Sequence, residues 1–106
     1  MSEIEIAKRT IIEELEKLGF RVIKIILFGS RARGDFKENS DLDLLVIVDK
    51  EIQPRQKREI TGKIYRLLAK MENSYEIVIK SYSNFERMKH FVGCISYEAD
   101  KEGIPL

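Results

Sequence analysis

A buried strand that ends in a tight polar turn is the sequence feature that most constrains how this chain folds. Residues 25–28 form an unbroken apolar run that stops at Gly29-Ser30. Such a run, bounded by a turn signal, is typical of a strand inside a sheet. Backbone amides in a Gly-Ser turn, above all one that opens a helix, can cradle a phosphate group. Arg31 and Arg33 add positive charge beside it. The stretch therefore predicts a phosphate-binding corner at the end of a strand.

A second apolar strand, residues 42–48, starts with two carboxylates in alternation, Asp41 and Asp43. Side chains two apart on a strand point to the same face, so these carboxylates stand side by side. Neighbouring carboxylates repel unless a cation compensates them, and Mg²⁺ prefers oxygen ligands that it shares with substrate phosphates. Two strand-end carboxylates facing water are the alternative. Together with the phosphate-binding corner, the pair predicts a metal–nucleoside triphosphate site.

The combined pattern resembles the defining motif of the DNA polymerase β-like nucleotidyltransferases. Gly29-Ser30 is followed by ten residues and then by Asp41-Leu42-Asp43. The sequence Gly-Ser-Arg-Ala-Arg-Gly and the small size of the chain resemble those of the minimal nucleotidyltransferases (MNT proteins), which are usually paired with HEPN-domain proteins. The similarity extends less sharply to residues 76–85 and 101–106. It implies an α/β fold, a small mixed β-sheet with its first two strands antiparallel, packed by helices.

The resemblance also implies which residues form the site. Members of the superfamily use a third acidic residue on a later strand, usually Asp, and the matching position here is Glu76. An ordinary exposed strand glutamate is the alternative interpretation of that residue. The implied catalytic residues and metal ligands are Asp41, Asp43 and Glu76. The implied nucleotide-binding residues are Gly29, Ser30, Arg31 and Arg33. Two Mg²⁺ ions, replaceable by Mn²⁺, would act with ATP as the substrate.

The implied activity is transfer of AMP from ATP to a hydroxyl acceptor. In a minimal nucleotidyltransferase the implied acceptor is a tyrosine of a HEPN-type toxin, so the chain would be an antitoxin in a hetero-oligomer. A catalytically weak nucleotide-binding module that neutralises its partner by binding alone is the alternative. The apolar and aromatic residues Tyr82, Phe91, Ile95 and Tyr97 are candidates for the docking surface. They would otherwise only cover the open side of the sheet.

The rest of the chain fits this architecture. A capping pattern at Ser2 and helical apolar spacing predict a first helix over residues 3–18, ended by Gly19. A strand over 22–28 precedes the short link to residues 42–48, and the link is too short for a parallel crossover. Pro54 predicts the start of a second long helix. A helical turn and a polar loop are expected over 31–39, and a third strand, parallel to the second, over 75–80. A capping box is expected at Ser83 and Glu86, followed by helical packing that is broken near Gly93.

Length and composition limit the alternatives. A chain of 106 residues predicts one domain, residues 1–106. Its net charge of +1 lacks the basic excess of a general nucleic-acid binder. The single cysteine, Cys94, excludes an internal disulfide and fits a reducing cytoplasm. The apolar runs are too short and interrupted for a membrane span.

Overall fold

The computed structural model describes residues 1–35 and 40–106, which form a four-stranded sheet covered by helices on both faces. In chain order the elements are α1 (Glu3–Lys17), β1 (Val22–Phe28), α2 (Ser30–Arg33), β2 (Leu42–Val48), α3 (Pro54–Leu68), β3 (Tyr75–Ser81), α4 (Tyr82–Met88), α5 (Ile95–Glu102) and β4 (Ile104–Pro105). No helix among these residues is long and apolar enough to cross a membrane.

The sheet has the strand order β3-β2-β1-β4. β1 pairs antiparallel with β2, and β2 pairs parallel with β3. Both pairings confirm the sequence prediction, and the crossover helix α3 explains the parallel one. The short β4 pairs antiparallel with β1 and was not predicted, because two residues containing a proline give no strand signal.

Alternation along the strands divides the core into two clusters. Leu42, Leu44, Val46 and Val48 of β2 pack with apolar residues of α1 and α3. Leu45 belongs to the opposite cluster, with Phe85 of α4 and Ala99 of α5. The first set therefore faces away from Asp43, as the sequence predicted, and the α4–α5 face is the one that carries the carboxylates.

Local signals explain most helix ends. The Ser2 hydroxyl accepts the Glu5 amide N–H at 3.3 Å, and Gly19, with φ of +87°, follows α1. Pro54 opens α3, as predicted. The predicted capping box at Ser83 is wrong. Ser81 caps α4 instead, because its hydroxyl accepts the Asn84 amide N–H at 3.1 Å as soon as β3 ends.

The last segment divides into two helices around Gly93, whose φ is +94°. This confirms the predicted break. The helical turn predicted within residues 31–39 is also present as α2, whereas residues 36–39, where the predicted polar loop would continue, lie outside the described residues.

Two glycines provide a test of this packing. A methyl group on Gly103 would overlap Ile26 Cγ2 and the Ala99 carbonyl oxygen, whereas one on Gly62 would meet, within the part of the chain that the structure describes, only Arg66 Nη1 at 3.5 Å. We expect Gly103→Ala to destabilise the fold by about 1–3 kcal/mol through overpacking. Gly62→Ala should stabilise it by about 1 kcal/mol because alanine favours a helix interior. Urea unfolding of both variants measures the difference, and equal effects would contradict the packing of β4 against β1.

Candidate active site

Gly29 makes the corner between β1 and α2. Its φ of +74° and ψ of −158° lie in a region that is essentially reserved for glycine. A Cβ atom at this position would overlap the Asp43 carboxylate oxygen Oδ2. Two independent constraints, one on the backbone and one on space, therefore require glycine here. Because the first amides of a helical turn have no acceptor inside that turn, this corner offers backbone donors close to Asp43.

Strand register brings the predicted carboxylates together. Asp43 lies opposite Phe28, the last residue of β1, and beside Glu76 on β3. Paired residues of neighbouring strands point to the same face, so Asp43 and Glu76 share the α4–α5 face. Asp41 stands two residues earlier, just before β2 begins. The structure thus brings Gly29, Asp43 and Glu76 to one end of the sheet, with Asp41 at the entrance to the same strand.

The electrostatic setting of Asp43 is unfavourable for a charged carboxylate. Partial burial raises the pKa of Asp43, and the Glu76 carboxyl group, close enough to share a proton, raises it further. The negative charges of Asp41 and Glu98 add to this effect on the pKa of Asp43. The site therefore concentrates negative charge that a bound cation would relieve.

Glu98 was missed by the sequence analysis. It lies on α5, and its charge reaches Asp43 across the α4–α5 face. No local pattern marks it, because a lone glutamate on a short amphipathic helix is normally a solvent-facing residue. Only the packing of α5 against β1 would have revealed its proximity.

The two arginines after the corner make contacts within the protein. Arg31 donates from Nε and Nη2 to the Ser40 carbonyl oxygen, at 3.3 and 2.9 Å, and from Nε to the Ser40 hydroxyl at 3.1 Å. Arg33 pairs with Asp35 at 3.3 Å and with Glu102 of α5 at 3.4 Å. Arg31 thus fixes the residue that precedes Asp41, and Arg33 connects the corner to α5.

A group of hydrogen bonds at the start of β3 holds the end of the strand that carries Glu76. The Glu3 carboxylate accepts the backbone N–H groups of Glu72 and Asn73, at 2.6 and 3.2 Å, and the Tyr75 hydroxyl at 3.0 Å. These donors lower the pKa of Glu3, with the Asn73 side chain making the largest contribution. The residues immediately before Glu76 are therefore tied to the start of α1.

The donor set suits a hard divalent cation. Asp41, Asp43 and Glu76 provide only carboxylate oxygens, the ligand type that Mg²⁺ prefers. The pKa of Asp43 is raised first by burial and then by the neighbouring carboxylates, and a bound cation would compensate the second of these effects. Across residues 1–35 and 40–106, no group of three acidic, histidine or cysteine side chains is arranged so that it could hold a metal ion by itself. A metal at this place would therefore need further ligands, and Mg²⁺ commonly takes them from substrate phosphates and water.

Comparison with known proteins identifies the family. The sequence model described as "Polymerase beta, Nucleotidyltransferase" matches residues 9–100, which include the glycine corner and the three carboxylates. The chain therefore belongs to this nucleotidyltransferase family, as the motif predicted.

Individual relatives agree with this assignment. The chain is 36% identical over 74 residues to "Putative protein adenylyltransferase MJ0141" of Methanocaldococcus jannaschii, covering 65% of this chain and 71% of the relative. A solved structure of a "putative minimal nucleotidyltransferase" superposes with a TM-score of 0.56 at 25% identity, over 100% of this chain and 97% of that one. A toxin–antitoxin structure with AMP-PNP superposes with a TM-score of 0.52 at 20% identity, over 92% and 70%, and shares the fold.

The glycine corner gives the first prediction for the site. Gly29→Ala combines a glycine-only backbone conformation, which costs about 1–3 kcal/mol, with the overlap on Asp43. Gly34→Ala is the matched control, because Gly34 also has a positive φ, +83°, whereas no atom of residues 1–35 and 40–106 would lie within 4 Å of its added methyl group. We expect Gly29→Ala to lose more stability in urea unfolding than Gly34→Ala and, alone of the two, to lose nucleotide binding in calorimetry. Equal behaviour would contradict the contact between the corner and Asp43.

The raised pKa of Asp43 gives a pH-dependent prediction. The native protein holds this proton more tightly than the unfolded chain, so the stabilisation is complete below the unfolded pKa of about 3.9 and is lost as pH rises through the folded value. Without metal, Asp43→Asn should therefore melt above the parent at about pH 7 and lose that advantage near pH 3. Added Mg²⁺ should raise the melting temperature of the parent more than that of the variant.

Asp100→Asn is the control for this experiment, since Asp100 is an exposed carboxylate elsewhere on α5. Its melting temperature should follow that of the parent at every pH. If the parent protein melted at a higher temperature than Asp43→Asn at neutral pH without metal, the carboxylates would not repel one another as the geometry requires.

Proposed function

We propose that the protein transfers AMP from ATP to a hydroxyl group on a partner protein, with Mg²⁺ as the metal. The single observation that carries this proposal is the glycine corner against Asp43, with Glu76 in register beside it. A phosphate-binding turn and a set of carboxylates then lie within the reach of one nucleotide. The name of the M. jannaschii relative and the AMP-PNP of the toxin–antitoxin structure support ATP as the nucleotide and a protein as the acceptor.

Asp41, Asp43 and Glu76 are the residues that would hold the metal. Two bound Mg²⁺ ions, or Mn²⁺ in their place, would lower the pKa of the attacking hydroxyl and neutralise the triphosphate and the departing pyrophosphate. Asp41 and Asp43 would serve both ions, and Glu76 would complete the shell on the attacking side.

The remaining residues of the site position these groups. Gly29 and Ser30 would receive the phosphates through backbone amides and the Ser30 hydroxyl. The contacts of Arg31 with Ser40 would hold Asp41 in place just before β2 begins. The positive charge of Arg31 would at the same time stay next to the phosphates. Arg33, which is bound to Glu102, would add a second charge and hold α5 beside the corner.

The acceptor we propose is a tyrosine of a HEPN-type toxin that docks on the α4–α5 segment. Between these helices Phe91 and Val92 are 55% and 81% exposed, and Ile95 and Tyr82 are also exposed. Apolar side chains this exposed leave surface that a protein partner could cover. Tyr97 is half-buried and would line the inner border of that surface. Orientation of the acceptor hydroxyl by docking can contribute about 7–11 kcal/mol to catalysis.

The second candidate function is neutralisation of the partner by binding alone. It is favoured by the glutamate at position 76, where the superfamily usually has aspartate. This candidate keeps the docking surface and makes nucleotide transfer dispensable.

Co-purification with the protein encoded next to it tests the proposal. With ATP and Mg²⁺, intact-mass spectrometry should show the partner gaining the mass of AMP, and Asp41→Asn/Asp43→Asn should abolish the gain while the pair still co-elutes. A partner that is inhibited without any gain in mass would establish binding alone. A chain that ignores the partner and adenylylates a small molecule would exclude both candidates.

Glu76 provides a finer prediction. If Glu76 completes the metal shell on the attacking side, Glu76→Gln should remove transfer and leave triphosphate binding largely intact. Glu76→Asp should retain or raise the activity, because aspartate is the usual residue. Single-turnover kinetics beside calorimetry separates the two effects. An unchanged transfer rate in Glu76→Gln would show that Glu76 is a surface carboxylate without a role in transfer.

A further inference from the structure

The outer edge of β3 faces no strand in the described parts of the chain, residues 1–35 and 40–106. β3 is the last strand of the sheet on this side, so every second residue directs its backbone groups outward. The backbone N–H of Ile77 is one of these groups, and it donates to the Tyr65 hydroxyl of α3 at 2.8 Å. The Tyr65 side chain thus accepts a hydrogen bond at the strand edge that a neighbouring strand would otherwise accept.

An open groove runs alongside this edge. It has a volume of about 610 Å³ and lies between the α3 side chains Lys57, Arg58, Thr61 and Tyr65 and the strand residues 77–79. Gly62 is among the residues that line it, and of the described residues a methyl group there would meet only the end of the Arg66 side chain. Because glycine has no side chain, α3 leaves space at this position beside the exposed strand edge, and another chain could enter there.

The sequence of the edge is self-complementary. Glu76 and Lys80 lie two residues on either side of Val78, and all three side chains point to the same face of the sheet. A two-fold axis through Val78 would place Glu76 of each copy opposite Lys80 of the other. It would also pair Ile77 with Ile79 through the outward backbone groups, to which the Ile77 N–H belongs. An axis through Ile77 or Ile79 instead would lose both charge pairs.

We propose that a second copy of this chain binds antiparallel to the β3 edge, with the two-fold axis at Val78, so that two four-stranded sheets become one continuous sheet. The Ile79 carbonyl of the second copy replaces the Tyr65 hydroxyl as the acceptor for the Ile77 N–H. Opposite charges facing each other across strands stabilise the pairing. The second copy also contributes Lys80 next to Glu76, and therefore a cation at the border of the candidate active site.

Disulfide trapping tests this register directly. Val78→Cys, in a Cys94→Ser background, places two sulfur atoms across the axis at a non-hydrogen-bonded pair, where the Cα atoms are about 4.5 Å apart. Lys80→Cys in the same background is the matched control. Its two copies would lie four strand positions apart, about 13 Å, which is too far for a disulfide.

Mild oxidation should convert Val78→Cys to a covalent dimer on non-reducing gels and leave Lys80→Cys monomeric. Circular dichroism should show both variants folded. Equal cross-linking of the two, or none in folded Val78→Cys, would overturn the proposal.

A charge exchange provides a second readout that needs no cysteine. Lys80→Glu sets two like-charge pairs across the axis and should weaken the dimer about tenfold in sedimentation equilibrium. Glu76→Lys/Lys80→Glu restores opposite charges and should recover the parent dissociation constant. Failure of the double variant to recover it, with both proteins folded, would contradict the Glu76–Lys80 pairing.

Discussion

The close approach between the Gly29 backbone and the Asp43 carboxylate is the contact on which the rest of this site depends. It requires a glycine at the corner, it fixes the end of β1 against the start of β2, and it sets the position of a carboxylate beside a turn of backbone amides. A Cβ atom at residue 29 would overlap the Asp43 carboxylate and force it to move. Antiparallel pairing of β1 with β2 and parallel pairing of β2 with β3 then bring Glu76 to the same place.

The negative charge at this end of the sheet is distributed unevenly. Burial and the neighbouring carboxylates raise the pKa of Asp43. The nearest arginines are bound to other partners, Arg31 to Ser40 and Arg33 to Asp35 and Glu102. The two arginines thus contact Ser40, Asp35 and Glu102, while the Asp43 and Glu76 carboxyl groups lie close to one another. Such an arrangement favours a ligand that brings its own cation, which is what a metal–nucleotide complex does.

The sequence predicted the strands and the motif because each rests on a local signal. Apolar alternation in β2 separates Leu42 and Leu44 from Asp43, and the short link before Asp41 allows only antiparallel pairing. Other features depend on distant contacts. Neither the proximity of Glu98 nor the pairing of β4 with β1 can be derived from local pattern, because both follow from how α5 packs. The cap of α4 was misplaced by two residues, since Ser81 and Ser83 offer the same hydroxyl and only the end of β3 decides between them.

A crystal of the protein with Mn²⁺ and a non-hydrolysable ATP analogue would test the central claim most directly, because anomalous scattering locates the metal without assumptions about the site. The structure predicts a manganese peak in contact with Asp41 and Asp43, and phosphate oxygens within hydrogen-bonding distance of the Gly29–Ser30 amides. A nucleotide seated elsewhere, such as in the groove between α3 and β3, or a manganese ion that touches neither aspartate, would contradict the assignment of this corner as the active site.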